Sequence, residues 1–287
     1  MPDHGAPRVI PGGVLDGGPG FGGSGAGREP DRLFFVVGVF DGLHRGHTYL
    51  LRRLREVAAR HGARPGVITF DHHPDEVIVG AAPPVLCDPL ERLVRFGRDG
   101  VDVVVVQHFD ATVRMTPYQD FVAAIAGRVE LAGFLMTPDA AFGHERRGTP
   151  ATLAALGREM GFAVEVVDPF DIDGRQVRST EIRSDIARGE LQAARHLLGR
   201  SVAVVGRLAG ADGVGVVAFE LPAALPPAGR YRVDVEPAWA PGLPRAGRPV
   251  RAIGLVGPGG SLALEVRRGA SLPSGDLLRI RFIGLSR

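Results

Sequence analysis

Apolar residues along the first two-thirds of the chain switch between continuous runs and helical spacing. Five runs are continuous enough to be strands covered on both faces, at 33–40, 65–70, 101–107, 133–136 and 162–167. Between them, apolar residues recur every three or four positions beside helix-capping residues, which predicts helices at about 47–61, 88–98, from 116 onward and at 149–161. Thr116 and Thr149 are predicted to cap the last two, and Gly161 to end the last. The alternation predicts an α/β fold with a doubly wound parallel sheet.

The pattern changes near residue 199. Two short helices are predicted at about 180–188 and 190–198, and the helical period stops after Gly199. Beyond it, short alternating runs at 203–206, 231–235 and 277–282 are separated by Gly and Pro, which is typical of a small antiparallel β-barrel or sandwich. We therefore predict an α/β domain over 32–200 and a β-domain over 201–287.

The first 31 residues are rich in Gly and Pro and show no apolar period, so they are predicted to be a disordered tail. Residues 20–25 match the GxGxxG pattern of dinucleotide-binding folds. Because no predicted strand precedes them and no predicted helix follows, we interpret the match as chance.

Composition narrows the class of protein. Hydrophobic residues make up 45% and charged residues 23% of the 287 positions, which is ordinary for a globular protein. No apolar run approaches the roughly 20 residues that cross a bilayer, and no secretory leader is visible, so we expect no membrane partner and a cytoplasmic location. The single cysteine, Cys87, fits a reducing compartment, and we expect it to be a passive small residue.

The charged residues exclude several chemistries. All 34 basic residues are Arg, against 32 acidic residues, and the chain contains neither Lys nor Asn. The Walker lysine, the kinase lysine and Schiff-base chemistry are thereby excluded. The arginines form no basic block with interleaved aromatic residues, so nucleic acid is not an expected partner.

The first chemical motif spans residues 38–47, where the first long strand leads through a glycine-rich turn into a helix. Free amides and the positive end of the helix favour a phosphate at the carboxyl edge of a parallel sheet. Gly46 lets the backbone approach that phosphate, and His44 and His47 can donate hydrogen bonds to its oxygens. The motif predicts a phosphate site.

A second motif covers residues 177–183. Ser179 or Thr180 is predicted to be the N-cap of the following helix, with Arg183 one turn further on. These groups form a second candidate anion site. A triphosphate that spans both helix starts would use both motifs.

Three segments carry a family resemblance: residues 38–47, 69–74 and 179–183 are similar to motifs of the bacterial FAD synthetase family. Further matches follow in the family's order over roughly 33–200, at 100–102, 109–110, 115–117, Phe121, Asp139, 142–143, Gly189 and 197–200. The family is usually a bifunctional riboflavin kinase and FMN adenylyltransferase. It belongs to the Rossmann-like nucleotidyltransferases with a HIGH-type motif, which is the class expected for 32–200.

The resemblance implies that AMP is transferred from ATP to the phosphate of FMN, giving FAD and pyrophosphate. Catalytic roles are implied for His44, His47 and Arg183. Mg²⁺ is expected to arrive on the ATP phosphates without a direct protein ligand. ATP or phosphate binding is implied for Gly38, Phe40, Gly46, Ser179 and Thr180.

The resemblance also implies which residues lie on the side of the site that binds the flavin: Phe70, Asp71, His73, Pro74, Asp139, Phe142 and Gly143. Here the sequence departs from the family, because residues 137–140 read Thr-Pro-Asp-Ala where the family has a glycine before the acidic or amide residue and an aromatic after it. In the second motif, Arg178 replaces the first of two serines. The use of ATP as the AMP donor is therefore better supported than the use of FMN as the acceptor.

The β-domain resembles the flavokinase barrel at Gly206, 210–215 and 226–231. Where the family has Pro-Thr-Ala-Asn, this chain has Val-Ala-Phe-Glu at 217–220, so the Thr and Asn that the kinase uses near Mg²⁺ are replaced. The kinase's glutamate base aligns with Ala263 or Glu265. We predict that kinase activity is lost and that the barrel braces the transferase or an oligomer.

Several alternatives stay open. The protein could use another phosphorylated acceptor, keep both activities of the family, or bind a flavin or nucleotide without catalysis. The dense group His72, His73, Asp75 and Glu76 is predicted to be a solvated loop and not a zinc site. Small molecules are the expected partners, and no particular oligomeric state is predicted.

Overall fold

The computed structural model describes residues 6–15, 31–209, 214–239, 248–266 and 277–286. They form two compact units that are not contiguous in sequence. The sheet unit comprises residues up to 40, 47–83 and 95–170, and the barrel unit comprises 41–46, 84–94 and 171 onward. The domain limits predicted from the sequence stay predictions.

Six strands build the sheet unit: β1 (Arg8–Pro11), β2 (Arg32–Val37), β3 (Arg64–Phe70), β4 (Val103–Gln107), β5 (Glu130–Met136) and β6 (Ala163–Val166). Their order is β1-β4-β3-β2-β5-β6, and every neighbouring pair is parallel. The chain moves outward from β2 in one direction through β3 and β4 and in the other through β5 and β6. The predicted doubly wound parallel sheet is confirmed, and its direction of winding reverses at β2, where such sheets bind ligands.

Helices follow most of the strands. Those of the first part of the chain are α1 (Arg45–Arg60), α2 (Pro74–Ile78), α3 (Pro89–Arg98), α4 (Ala111–Met115), α5 (Tyr118–Ala126) and α6 (Pro150–Met160). Residues 33–36 of β2 are all buried, as the continuous apolar run predicts. Phe35 and Phe134 lie in the core of the sheet unit with Ile125 and Leu153, all at most 1% exposed.

The predicted disordered tail is wrong for residues 6–15. Arg8–Pro11 pairs in parallel with β4, and Ile10 is only 2% exposed. The side-chain oxygen of Gln107 accepts the backbone N–H of Val14 at 2.7 Å and holds the chain after the strand. The strand is short and lies among Gly and Pro residues, so the sequence shows no apolar pattern that would predict it. The rest of the predicted tail that lies at 1–5 and 16–30, including the GxGxxG match, is outside the described residues.

The caps of helices α5 and α6 agree only in part with the sequence prediction. Thr149 caps α6 by accepting the N–H of Thr152, and Gly161 ends the helix in a left-handed conformation, as expected. The predicted cap of α5 at Thr116 is wrong, because Pro117 occupies the N-cap position. The Thr116 hydroxyl instead donates to the Thr112 carbonyl of α4, a short helix that the sequence did not reveal.

Among the described residues from 171 onward, the barrel unit forms a two-stranded hairpin, two α-helices and a six-stranded barrel. The hairpin and helices are β7 (Asp171–Ile172), β8 (Arg175–Gln176), α7 (Ser179–Ala187) and α8 (Leu191–Leu198). The barrel strands are β9 (Ala203–Ala209), β10 (Val214–Ala218), β11 (Gly229–Pro237), β12 (Val250–Val256), β13 (Leu262–Val266) and β14 (Leu278–Leu285). All neighbouring strands are antiparallel, and β9 closes on β10, so a barrel is confirmed and a sandwich is not formed.

The barrel unit also holds a buried ionic cluster. Arg279 donates from Nε to Glu91 at 3.0 Å and from Nη1 to Glu236 at 2.9 Å. The guanidinium of Arg279 lies 4.2 Å from the ring centroid of Trp239. Because the side chains of Arg279 and Glu91 are 4% and 3% exposed, neither charge is left to water. Within the part of the chain that the structure describes, the helices are too short or too polar to span a lipid bilayer.

Candidate functional site

The turn after β2 has an unusual backbone. Phe40 and Leu43 adopt positive φ angles of 55° and 36°, and Gly42 has a φ of 83°. Positive φ at a non-glycine residue costs about 1–3 kcal/mol, and such strain gathers at functional sites. The ring of Phe40 packs on Phe96, with centroids 5.3 Å apart, and on His47 at 5.1 Å. Within the sheet unit, these contacts fix the ring of Phe40, the residue with positive φ that precedes the turn.

The helix after this turn begins at Arg45, two residues earlier than predicted. Gly46 and His47 therefore lie in its first turn, where backbone N–H groups point along the axis and favour an anion. His47 is half-buried. The predicted strand–turn–helix setting of the first motif is therefore present.

Asp41 was missed by the sequence reasoning, although an acidic residue inside a glycine turn is a usable signal. It is 6% exposed, and its two carboxylate oxygens accept the N–H of Leu86 at 3.0 and 3.2 Å. Arg183 donates from Nη2 to Asp41 at 2.5 Å and from Nε to the Pro84 carbonyl at 2.8 Å. The ion pair joins the first motif to the second across 142 positions of sequence.

The second motif starts α7 in a different way from the prediction. Arg178 occupies the N-cap position, so the prediction of Ser179 or Thr180 as N-cap is wrong. The Ser179 hydroxyl instead donates to the backbone carbonyl of Asp41 at 2.9 Å. Thr180 is exposed on the first turn of α7. Ser179 and Arg183 thus both reach the Asp41 residue of the turn.

His44 is deeply buried, at 4% exposure. Burial, with Arg200 and Arg183 as positive neighbours, lowers the pKa of His44 from 6.5 to about 4. The imidazole is therefore neutral near pH 7 and offers one N–H donor without a charge. Arg200 secures the same turn by donating from Nη1 to the carbonyl of Leu43 at 3.1 Å.

Gly46 has a measurable steric role. A Cβ at this position would lie 3.2 Å from the His44 ring and 3.3 Å from the carbonyl oxygen of Val177. Both distances are tighter than an ordinary van der Waals contact. The sequence predicted that Gly46 leaves room for a phosphate. In the structure, the missing side chain also leaves room for the His44 ring.

The residues assigned to the flavin side lie in the sheet unit. Phe70 ends β3 and contacts Phe109 edge to face, with centroids 5.3 Å apart. Asp71 Oδ2 lies 2.7 Å from Nδ1 of His108, a residue that the sequence reasoning did not single out. His73 caps α2 by accepting the N–H of Asp75 at 3.2 Å, and Pro74 is the first residue of that helix.

The remaining residues assigned to the flavin side lie in the loop after β5. Thr137 donates to Asp139 Oδ1 at 2.8 Å. Phe142 packs between Phe121 and Phe134, each centroid 5.6 Å away, so its ring contributes to the core. Gly143 has a φ of 76°, and a Cβ there would lie 2.7 Å from the backbone of Tyr118. These two residues shape the loop through packing, and their contact with a flavin stays a prediction.

The predicted solvated loop at 72–76 is partly a helix, since α2 covers Pro74–Ile78. His72 and Asp71 meet His108 there, while His73 serves the helix cap. Cys87 is a buried cysteine in the barrel unit.

Comparisons with known proteins agree with these motifs. The FAD synthetase family model matches residues 27–181. The bifunctional riboflavin kinase/FMN adenylyltransferase of Haemophilus influenzae is 32% identical over 175 residues, which are 60% of this chain and 57% of that protein. The proteins of the same name from Escherichia coli K12 and Listeria monocytogenes are 31% and 34% identical, over 63% and 57% of this chain and 58% and 52% of their own lengths. The chain thus spans little more than half the length of these curated relatives.

A crystal structure of a protein described as a macrolide-efflux protein from Streptococcus pneumoniae has the same fold. Its TM-score is 0.77 at 22% identity, over 98% of this chain and 91% of that one. The family model covers more than half of the present sequence, including the whole first motif and the second motif as far as residue 181, so the match contains Asp41 and Ser179, whose hydrogen bond joins the two motifs. On this evidence the chain belongs to the FAD synthetase family.

Proposed function

We propose that the protein is an FMN adenylyltransferase, which transfers AMP from ATP to FMN. The observation that carries the proposal is the junction of the two anion-binding motifs at Asp41. The Ser179 hydroxyl reaches its carbonyl at 2.9 Å and the Arg183 guanidinium reaches its carboxylate at 2.5 Å. A triphosphate binds best where several hydrogen-bond donors are already held in one place. The contacts with Asp41 hold the two motifs together in this way.

In the proposed reaction, a phosphate oxygen of FMN attacks the α-phosphorus of ATP. The bond between the α-phosphorus and its bridging oxygen to the β-phosphate breaks, and pyrophosphate leaves with that oxygen. One P–O bond forms and one breaks, so no covalent enzyme intermediate is needed. The protein's task is to align the two phosphates and stabilise the spreading negative charge.

The imidazoles have distinct roles in this scheme. His44, neutral because its pKa is about 4, donates a hydrogen bond to a phosphate oxygen without taking a proton from solution. His47 donates from the first turn of α1, with the backbone amides of that turn. Arg183 contributes positive charge, and Asp41 is the positioning residue that holds it.

Mg²⁺ fits this arrangement as a partner of ATP. Asp41 is the carboxylate of the junction, and its oxygens are already occupied by Arg183 and by the N–H of Leu86. Mg²⁺ is commonly held through substrate phosphates and water. When bound, it would neutralise the phosphate charge, and the residues of the chain would bind and orient the nucleotide.

FMN is proposed as the acceptor because of the resemblance at 69–74 and 139–143. The altered loop favours one second candidate, a transferase that uses another phosphorylated acceptor. In that loop the Asp139 carboxylate accepts a hydrogen bond from Thr137, one of the residues at 137–140 that depart from the family. The cytoplasmic location and the small-molecule partners stay predictions.

We also propose that the barrel has lost flavokinase activity. Val217 stands in the stretch where the kinase has Pro-Thr-Ala-Asn, and it is 4% exposed in the barrel core. In the same stretch Glu220 pairs with Arg207 at 3.3 Å. Glu265, one of the candidate bases, pairs with Arg230 at 2.7 Å. These side chains serve packing and ion pairs.

Product analysis by liquid chromatography tests both proposals. The protein is incubated with ATP and Mg²⁺, in parallel with FMN and with riboflavin. FAD from FMN and no product from riboflavin is the expected result. Phosphorylation of riboflavin would contradict the kinase loss, and no product from FMN would move the assignment to another acceptor, to be sought by pyrophosphate release.

The His47→Ala variant ties the activity to the motif. Loss of one such donor lowers kcat by about 10²–10³-fold. His196→Ala is the matched control, because His196 is an exposed histidine on α8 that is outside both motifs. Wild-type turnover by His47→Ala would remove the motif from the mechanism.

A further inference from the structure

We propose that Asp71, His72 and His108 form a binding site for a divalent transition metal of the zinc type. β3 and β4 are neighbouring parallel strands whose last paired residues are Phe70 and Gln107. Asp71 and His108 directly follow these residues, so the two strands deliver them to the same edge of the sheet. One ligand atom from each of the three side chains lies within 4.8 Å of the other two.

The Asp71 carboxylate is already oriented for a metal. Oδ1 accepts the backbone N–H of His72 at 2.7 Å and that of Phe109 at 3.2 Å. Oδ2 faces the imidazoles, 2.7 Å from His108 Nδ1 and 3.9 Å from His72 Nε2. One oxygen is fixed by the backbone, and the other is presented to both rings.

Glu76 supplies a second feature that is typical of metal sites. Its Oε2 lies 3.2 Å from His72 Nδ1, the ring nitrogen opposite the one that faces Asp71. A carboxylate on the far nitrogen fixes the tautomer of a metal-ligating histidine and increases its basicity. Glu76 is held in place by α2, the helix that His73 caps.

The distances suit zinc after small side-chain rotations. Zinc–ligand bonds of about 2.0–2.1 Å place neighbouring ligand atoms of a tetrahedral site about 3.3 Å apart. The separations of 2.7 and 3.9 Å bracket that value. His72 and His108 are exposed, so their rings can turn without disturbing the core. Two imidazoles favour zinc, copper or nickel over magnesium.

The three side chains match a known type of zinc site. Two histidines and one carboxylate are one of the ligand sets of open zinc sites, whose fourth position takes water or another ligand. The surface exposure of the cluster is consistent with an open site. The competing interpretation is that His108 and Asp71 form only a local ion pair.

Binding of Zn²⁺ alone to the full chain separates these interpretations. We expect equilibrium dialysis and titration calorimetry to give one saturable site per chain. His108→Gln keeps a side-chain donor for Asp71 but is a poor zinc ligand, so affinity should fall by at least about 100-fold, since even outer partners change metal affinity by about 10–100-fold. The same loss is expected for His72→Ala, and His196→Ala is the control that should bind zinc like the wild type.

Thermal unfolding provides a second measurement. Zinc should raise the Tm of the wild type and of His196→Ala but leave that of His108→Gln unchanged, because a ligand stabilises only the state that binds it. Equal zinc affinity in the wild type, His72→Ala and His108→Gln would overturn the proposal, as would the absence of saturable binding. The assay contains neither ATP nor FMN, so its outcome does not depend on the proposed transferase activity.

Discussion

The histidine of the turn at 41–46 and the histidines at the edge of β3 and β4 have the same side chain in opposite surroundings. His44 is 4% exposed, with Arg183 and Arg200 beside it. His72 and His108 are exposed and face carboxylates. Burial among cations makes an imidazole a neutral donor for anions, whereas acidic neighbours in water make it a ligand for cations. Local surroundings therefore indicate the function of a histidine better than its presence in a motif.

The largest effect is expected at the ion pair that joins the two anion motifs. Asp41→Asn keeps an acceptor for Leu86 but leaves the Arg183 charge, 15% exposed, without its carboxylate. Breaking a buried pair costs about 3–5 kcal/mol, and FAD formation should fall with it because Arg183 is released. Urea unfolding and product analysis measure the two effects.

Glu91→Gln is the matched control for that variant. It removes one partner of the buried Arg279 in the same unit, outside the two motifs, while Glu236 remains. Its free energy of unfolding should fall, whereas its turnover should stay that of the wild type. Full activity in Asp41→Asn would show that the Asp41 pair has no part in catalysis.

The second effect concerns pH and the burial of His44. The pKa of His44 is about 4 in the folded chain against an ordinary value of 6.5, so between these values the unfolded chain binds more protons. Stability contributed by neutral His44 is complete above about pH 6.5 and is lost as the pH falls toward 4. The full loss amounts to roughly 3 kcal/mol.

His44→Gln isolates that contribution, because glutamine does not titrate. Urea titrations from pH 7 to pH 4 measure the free energy of unfolding of both proteins. As the pH falls, the wild type should lose stability relative to the variant. A pH-independent difference would show that His44 does not carry a lowered pKa.

The sequence predicted much of this fold for clear physical reasons. Long apolar runs and strong caps such as Thr149 predict buried strands and helix starts reliably. β1 was missed because its few apolar residues lie among Gly and Pro, and its pairing with β4 is a tertiary contact that no local sequence pattern indicates.

The candidate sites needed tertiary contacts. Ser179 was misassigned as a cap because its hydroxyl bonds to Asp41, 138 positions away. His108 was missed because strand register brings it to Asp71 across 37 positions. The kinase loss and the flavin contacts stay predictions, since they concern ligands and not folding.

The third effect concerns Glu76, the carboxylate beside the exposed His72. Glu76→Gln removes the charge behind His72 but keeps an oxygen that can accept its Nδ1–H. Zinc affinity should fall by about 10–100-fold, as for outer-shell partners in general, which is less than for His108→Gln. Zinc titration calorimetry measures the ranking, and an unchanged affinity would exclude Glu76 from the site.

The smallest effect is expected for Gly46→Ala. The new Cβ would meet the His44 ring at 3.2 Å and the Val177 carbonyl at 3.3 Å, so one of them must move by a few tenths of an ångström. A misplacement of 1 Å can cost about 10²-fold in rate, so a shift of this size should lower kcat by roughly three- to tenfold. Gly127→Ala is the control, because Gly127 has a φ of −70° and its Cβ would make only ordinary contacts, the nearest at 3.4 Å. If both variants turned over like the wild type, His44 would tolerate displacement, and the steric coupling between Gly46 and the buried imidazole would have no catalytic consequence.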